Sequence, residues 1–347
     1  MMEIGTAILG FAHGHVGLYC TQWLDKKEMG IRLVAGWDHD LARASAYCAN
    51  FGLEQAKSAE DILSRSDVSA VVIAAETSMH ADLVEKAANA GKAIVLQKPI
   101  ALTMEQANRI VGAVSQNKVP FTLAWQMRVD PHNLKAKSLL ESGEFGRVFQ
   151  VRRRHCLTTQ YMKDFDKSWH VKPELNRDIF ADDAAHPIDF IYWLFGMPIS
   201  VYAELGTLLN PNIPNDNAIV LFRYPDGKMA EVSCSFVAVA GENTLEILCE
   251  HGIIIGNYGD GPSNAVRPEG APQLKWWLEK DRSWHVSSLP EIRGQGERIA
   301  GLACPIAEFL QGKRPPIATA EEGRDVLCLV LACYESAEQG KKIKLDD

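Results

Sequence analysis

Ala93-Ile94-Val95-Leu96-Gln97-Lys98-Pro99 is the stretch on which the reading of this chain turns. Four apolar residues end abruptly in an amide, a cation and a proline, and Thr103-x-x-Gln106 just beyond has the spacing of a helix capping box. The run reads as a buried parallel strand over 93–96, with Gln97-Lys98-Pro99 at its carboxyl end. In open parallel α/β sheets ligands bind where the strands end, so a lysine placed there is aimed at whatever the sheet binds. Pro99 gives up a backbone donor and biases Lys98 toward extended dihedrals, which stops the strand sharply. Taken by itself, a surface lysine after a core strand is the stronger reading of Lys98.

Working outward, the same rhythm recurs on both sides. From 6 to 125 short apolar runs at 6–9, 32–36, 70–74, 93–96 and 120–124 alternate with amphipathic stretches at 15–28, 41–51 and 79–90, which stop at Gly30, Gly52 and Gly91. Ser58-x-x-Asp61 opens a further short helix. Beyond Trp125 the pattern changes. A helix at 133–141 and a strand at 147–155 lead through a polar, aromatic-rich segment to a helix at 183–195. Hairpin patterns then run from 199 to 289, and helices at 298–310 and 321–338 follow. The expected fold is an α/β N-terminal domain over 1–125, followed by an α+β C-terminal domain over 126–347 with a mostly antiparallel open sheet.

At 347 residues the chain is long enough for two cores, and 47% hydrophobic with 23% charged residues is an ordinary globular composition. A net charge of -8 argues against nucleic acid or an anionic membrane as partner. The one dense basic run, Arg152-Arg153-Arg154-His155, lies in a strand pattern that sends its arginines to alternate faces. Eight cysteines without C-x-x-C spacing read as reduced core residues. No signal-peptide pattern and no apolar run of membrane-spanning length is present, so the expected compartment is the cytoplasm.

Two constellations carry chemistry. The first strand runs into Gly10-Phe11-Ala12-His13-Gly14-His15, where a dinucleotide fold places G-x-G-x-x-G so that backbone N–H groups approach a pyrophosphate. Only Gly10 is in register; Ala12 and His15 take the second and third places. The second strand ends at Asp38, roughly 20 residues on, where an acid accepts the adenosine ribose hydroxyls. With no arginine beside it in sequence, Asp38 favours NAD over NADP, which stays possible; an acid at a helix N-terminus is the equal alternative. The second constellation is Asp182-Asp183-Ala184-Ala185-His186-Pro187-Ile188-Asp189. On a helix Asp182 and His186 lie one turn apart and can form a carboxylate–imidazole pair, a general base poised near neutrality. Pro187 denies an N–H to the Asp183 carbonyl, so the helix is kinked there or begins near Pro187. Helix capping is the plain alternative. A metal held by Asp182, His186 and His155 or His170 is a weaker one, since no ligand spacing demands it.

Five motifs in order give the chain a resemblance to the glucose–fructose oxidoreductase / inositol dehydrogenase / rhizopine-catabolism (Gfo/Idh/MocA) family. Thr77-Ser78-Met79-His80 resembles its T-x-x-x-H, and Ala90 to Pro99 its A-G-K-x-V-x-x-E-K-P. Arg128-Val129-Asp130-Pro131 through Gly143-Glu144-Phe145-Gly146 is similar to R-x-x-P…G-x-x-G. Asp182-x-x-x-His186-x-x-Asp189 resembles D-x-x-x-H-x-x-D, and Ala332 to Gly340 the closing helix. The resemblance implies a Rossmann domain, an open sheet serving a homodimer or homotetramer, and NAD(P)-dependent oxidation or reduction of a sugar, polyol or related small molecule. Lys98 would hydrogen-bond the reacting hydroxyl, His186 would take its proton, and Asp182 would hold His186 or the substrate. Cofactor contacts fall on Gly10, Ala12, His13, Gly14, His15, Asp38, Thr77, His80, Gln97 and Lys98. Substrate contacts fall on Trp125, Gln126, Arg128, Trp169 and His170, with Tyr161, Asn176 and Arg177 as further pocket candidates. Gln97 departs from the family's glutamate, and Asn176 to Phe180 replaces its glycine-rich run. Two other readings remain: a glycoside-cleaving enzyme that retains its NAD, and a non-catalytic ligand-binding relative.

Overall fold

Apolar runs separated by capped amphipathic helices build a parallel sheet in the first part of the chain. The computed structural model describes residues 3–239, 243–257 and 270–345. The opening elements are β1 (Ile4–Leu9), α1 (His15–Asp25), β2 (Ile31–Trp37), α2 (Leu41–Phe51), β3 (Glu54–Gln55), α3 (Ala59–Leu63), β4 (Ala70–Ile73), α4 (His80–Asn89), β5 (Ala93–Leu96), α5 (Met104–Asn117) and β6 (Phe121–Leu123). The strands lie in the order β3-β2-β1-β4-β5-β6, and every neighbouring pair is parallel. This is the doubly wound arrangement, with its switch point between β1 and β4. All of β4 is buried, as a parallel sheet covered on both faces requires.

The helix starts follow local chemistry. Asp40 accepts from the Ala42 and Arg43 N–H groups to cap α2, Ser58 and Asp61 close a reciprocal box on α3, and Thr103 accepts from Gln106 N–H on α5. The Gln106 side chain reaches back to Leu102 N–H, one residue before the cap.

The rest of the chain supplies α6 (Pro131–Glu141), β7 (Val148–Cys156), α7 (Pro173–Asn176), a π-helical turn (Phe180–Ala184), α8 (Ala185–Phe195), β8 (Ser200–Gly206), β9 (Asn217–Arg223), β10 (Met229–Ser235), β11 (Thr244–Cys249), β12 (Gly252–Asn257), β13 (Leu274–Leu278) and β14 (Ser283–Val286). After these come α9 (Gln295–Ala300), α10 (Ala303–Leu310), α11 (Ala320–Gln339) and β15 (Ile343–Lys344). A nine-stranded sheet runs β14-β13-β12-β11-β7-β10-β9-β8-β15, and its one parallel pair among the described strands is β7 with β10.

The chain divides into two units, and the expected split into 1–125 and 126–347 is incomplete. The first unit holds Met1–Gln126 and also recruits Glu174–Asn176 and Ile299–Leu327; the second takes the remainder. The returning segment is tied to the parallel sheet by polar contacts. Trp23 Nε1–H donates to the Ala303 carbonyl at 3.0 Å, Ile317 N–H to Thr122 Oγ1 at 2.8 Å, and Leu123 N–H to the Ala318 carbonyl at 2.9 Å. Nothing local in 299–327 signals this, because the segment satisfies an edge strand distant in sequence.

Within the second unit α8 packs on one face of the mixed sheet against β7 and β10. Burial alternates strictly along β9, so its other face is open. The arginine run divides as period two demands. Arg152 stands 3.6 Å from Glu231, whereas Arg153 is buried with its guanidinium 5.5 Å from the Phe190 ring centroid. All eight cysteines are free thiols, six of them buried.

Candidate active site

In the first unit the carboxyl ends of β1, β2, β4 and β5 carry the expected cofactor residues. Gly10 has φ +86°, and a Cβ there would stand 2.4 Å from Ala75 Cα, so only glycine permits this approach of the β1–α1 turn to the end of β4. Gly14 is the N-cap of α1 and offers no side-chain cap, and the space beside it is open. A helix N-terminus without a side-chain cap, reached through a glycine turn, fits a pyrophosphate. Ala12 is half-buried and His13 buried; His13 and His15 meet edge to face at 4.3 Å, so the two imidazoles form one side of that turn.

Asp38 departs from its expected role. Its Oδ2 accepts from Phe11 N–H at 2.6 Å and Arg43 Nε–H at 2.7 Å, and its Oδ1 from Asp40 N–H at 2.9 Å and Arg43 Nη2–H at 2.8 Å. Four donors fill the four lone-pair sites of a carboxylate that is 0% exposed. The absence of an adjacent arginine holds only in sequence: Arg43, on the first turn of α2, forks onto Asp38 and also donates to Glu76 Oε1 at 2.8 Å. Burial alone would lower the Arg43 pKa, but its hydrogen bonds to Asp38 and Glu76 outweigh that and hold it above the usual value. Arg43 and Glu76 were not among the expected site residues. The available signal was the position of Arg43 three residues after the α2 N-cap, beside the strand end.

His80 is a scaffold residue. Its Nδ1 lies 3.0 Å from the Pro99 carbonyl and its Nε2 3.2 Å from the Ala75 carbonyl, so the neutral ring, with a single N–H, donates to one side and packs against the other, between the end of β4 and the chain just past Lys98. Burial pushes its pKa down to about 4. Lys98 itself is buried after β5, followed by a cis Lys98–Pro99 bond. Gln97 is buried with its amide against the Tyr19 hydroxyl, and desolvation of that hydroxyl raises its pKa. Thr77 hydrogen-bonds Asn176, and Trp125 and Gln126 are buried in this unit.

In the second unit the R-x-x-P motif proves architectural. Arg128 forks onto Asp189 with contacts of 2.7 to 3.1 Å, both side chains being buried, which removes its guanidinium from a simple substrate role. Asp130 caps α6 through His132 and Asn133 N–H and accepts from Arg298 Nε–H at 2.7 Å, while Pro131 occupies the first helical turn.

Asp182 and His186 each have a further neighbour. The segment that carries both is wound as a π-turn that runs into α8, with Pro187 in the first turn of α8. Asp182 Oδ2 sits 2.6 Å from His170 Nδ1, and His186 Nε2 lies 3.9 Å from Asp183 Oδ1. His170 stacks on Trp169 at 4.0 Å and on Phe165 at 5.7 Å, an aromatic stack oriented by a buried carboxylate. His155 stands 6.3 Å from the His186 ring.

The π-turn is anchored by Asp178, which accepts from Ala181 N–H at 3.0 Å, from Asn215 Nδ2–H at 2.7 Å and from the Tyr334 hydroxyl. Burial raises the Asp178 pKa against those donors. Arg177 adopts φ +74° and lays its guanidinium 4.4 Å from the Tyr334 ring centroid, and Tyr161 is exposed. Among the described residues no three His, Cys, Asp or Glu side chains are grouped to hold a metal, and no helix is long and apolar enough to cross a membrane.

Residues 4–124 match the description "Oxidoreductase family, NAD-binding Rossmann fold", and residues 133–255 match "GFO/IDH/MocA C-terminal domain". An inositol 2-dehydrogenase of Rhizobium meliloti is 32% identical over 60% of this chain and 63% of its own length. The scyllo-inositol 2-dehydrogenase (NAD(+)) of Bacillus subtilis is 26% identical over 99% of this chain and 97% of its own. A levoglucosan dehydrogenase solved with NADH and L-sorbose superposes with a TM-score of 0.86 at 21% identity, covering all of both chains, which supports the fold.

Proposed function

The chain belongs to the GFO/IDH/MocA family of oxidoreductases, and on that premise we propose that it is an NAD-dependent dehydrogenase transferring a hydride between nicotinamide and a hydroxyl-bearing carbon of a sugar or polyol. The observation that carries this reading is a buried lysine at the end of β5, in a doubly wound sheet whose switch-point helix has an uncapped N-terminus. The relatives named as inositol dehydrogenases support the substrate class.

Lys98 is assigned the reacting hydroxyl: its ammonium stabilises developing alkoxide character in surroundings that exclude water. His186 takes the hydroxyl proton, and the bound nicotinamide supplies the hydride acceptor. Asp182 holds His170, which assigns the Trp169–His170 stack a face of the sugar ring. Lys98→Met is expected to keep the fold while lowering kcat on an inositol or sugar panel by about 10³-fold. Full turnover in that variant would overturn the assignment.

The open face of the nine-stranded sheet is assigned to a second copy of the chain. Ile219, Leu221, Met229, Leu248, Trp284 and Val286 stand exposed in the same unit as Arg152 and Glu231, a mix of apolar and oppositely charged groups that a two-fold interface can satisfy. Light scattering on Leu221→Arg should show a smaller assembly than wild type, and an unchanged mass would refute this face.

A further inference from the structure

Asp38 has no lone pair left for a ribose hydroxyl, so some other group at the end of β2 must meet the adenosine. Arg43 offers it. Its Nε–H and Nη2–H groups are spent on Asp38 and Glu76, whereas among the described residues its Nη1 hydrogens have no partner, and the side chain is 21% exposed. We propose that Arg43, clamped by Asp38 and Glu76, is the residue that reads the adenosine ribose, and that Glu76 sets the selectivity for NAD over NADP. The proposal rests on the dehydrogenase reading above.

The physics is a matter of geometry and local charge. Two carboxylates hold the guanidinium in one plane, so a pair of N–H donors is presented without loss of side-chain freedom on binding. One cation against two buried anions leaves the cluster net negative. A ribose carrying two hydroxyls meets that cluster without penalty, while a 2′-phosphate brings up to two further negative charges to it. An arginine at this place ordinarily welcomes a 2′-phosphate, so the second acid is what reverses the preference.

Glu76 is suited to that part: its side chain is 4% exposed, Oε1 holds Arg43, and Oε2 makes no hydrogen bond. The His39 imidazole lies 3.4 Å from Asp38 Oδ1 and 3.6 Å from Glu76 Oε2, at the exposed edge of the same cluster. Glu76→Gln preserves the shape and the acceptor for Arg43 while removing one charge. Arg43→Lys keeps a cation against both acids and removes the forked donors.

The test is titration of wild type, Glu76→Gln and Arg43→Lys with NADH and with NADPH, followed by nucleotide fluorescence, with circular-dichroism melts to confirm folding. Wild type is expected to prefer NADH. Glu76→Gln should tighten NADPH at least tenfold while moving NADH by less than threefold, and Arg43→Lys should weaken NADH at least fivefold. A folded Glu76→Gln protein with an unchanged NADPH to NADH ratio overturns the proposal and leaves the dehydrogenase reading standing. Wild type that binds neither nucleotide removes both.

Discussion

Replacing His80 with glutamine tests how the lysine-bearing strand end is held. The imidazole is enclosed between the Ala75 and Pro99 carbonyls, and burial pushes its pKa down to about 4 from the ordinary 6.5, against the opposing pull of those carbonyls. In the unfolded chain the same group titrates near 6.5, so between these two values the unfolded state binds the extra proton. The stability that neutral His80 contributes is therefore fully present above about pH 6.5 and is lost as pH falls toward 4. The loss is about 2 kcal/mol at pH 5 and about 3 kcal/mol by pH 4. Glutamine can still donate to those carbonyls but does not titrate. Urea unfolding of both proteins at several pH values from 7.5 to 5 isolates the group, since all other titrations cancel in the difference. The wild-type advantage should shrink by about 2 kcal/mol across that range. Parallel stability curves would refute a buried, neutral His80.

Gly10→Ala should lower the melting temperature and weaken NADH binding together, because the new Cβ meets the Ala75 backbone at 2.4 Å with φ at +86°; a loss of about 2 kcal/mol is expected, and an unchanged melt would show that the turn yields. Asp189→Asn should cost about 3 kcal/mol by removing the bidentate partner of a buried guanidinium, and pairing it with Arg128→Met should recover most of that in a denaturant melt. If the double variant is as unstable as the single one, the ion pair is not what the first substitution broke.

What the sequence disclosed was local. The strand over 93–96, the cap pairs at Ser58 and Thr103, and the alternation of arginines in β7 depend on near neighbours, and each stands where periodicity put it. Three features were not legible, for related reasons. His170, twelve residues before Asp182, contacts its carboxylate beside a segment wound as a π-turn, a neighbour that helical spacing does not supply. Asp38 lost its expected partner to Arg43 through a side-chain conformation that no spacing rule encodes. Residues 299–327 join the first unit through contacts with Trp23, Thr122 and Leu123, which are tertiary in origin. The motif residues Arg128, Asp130 and His80 were legible as motif members but not as scaffold. Their type suited either role, and burial with fixed carbonyl or carboxylate partners is what separates the two.

Hydride transfer itself is open to one direct measurement. The protein is incubated with NAD and a panel of inositols and sugars deuterated at the carbons that bear hydroxyls, and the nucleotide is then weighed by mass spectrometry. A dehydrogenase returns reduced nucleotide one mass unit heavier with at least one member of the panel. Nucleotide that stays oxidised throughout, or that is reduced without gaining deuterium, contradicts the proposed reaction.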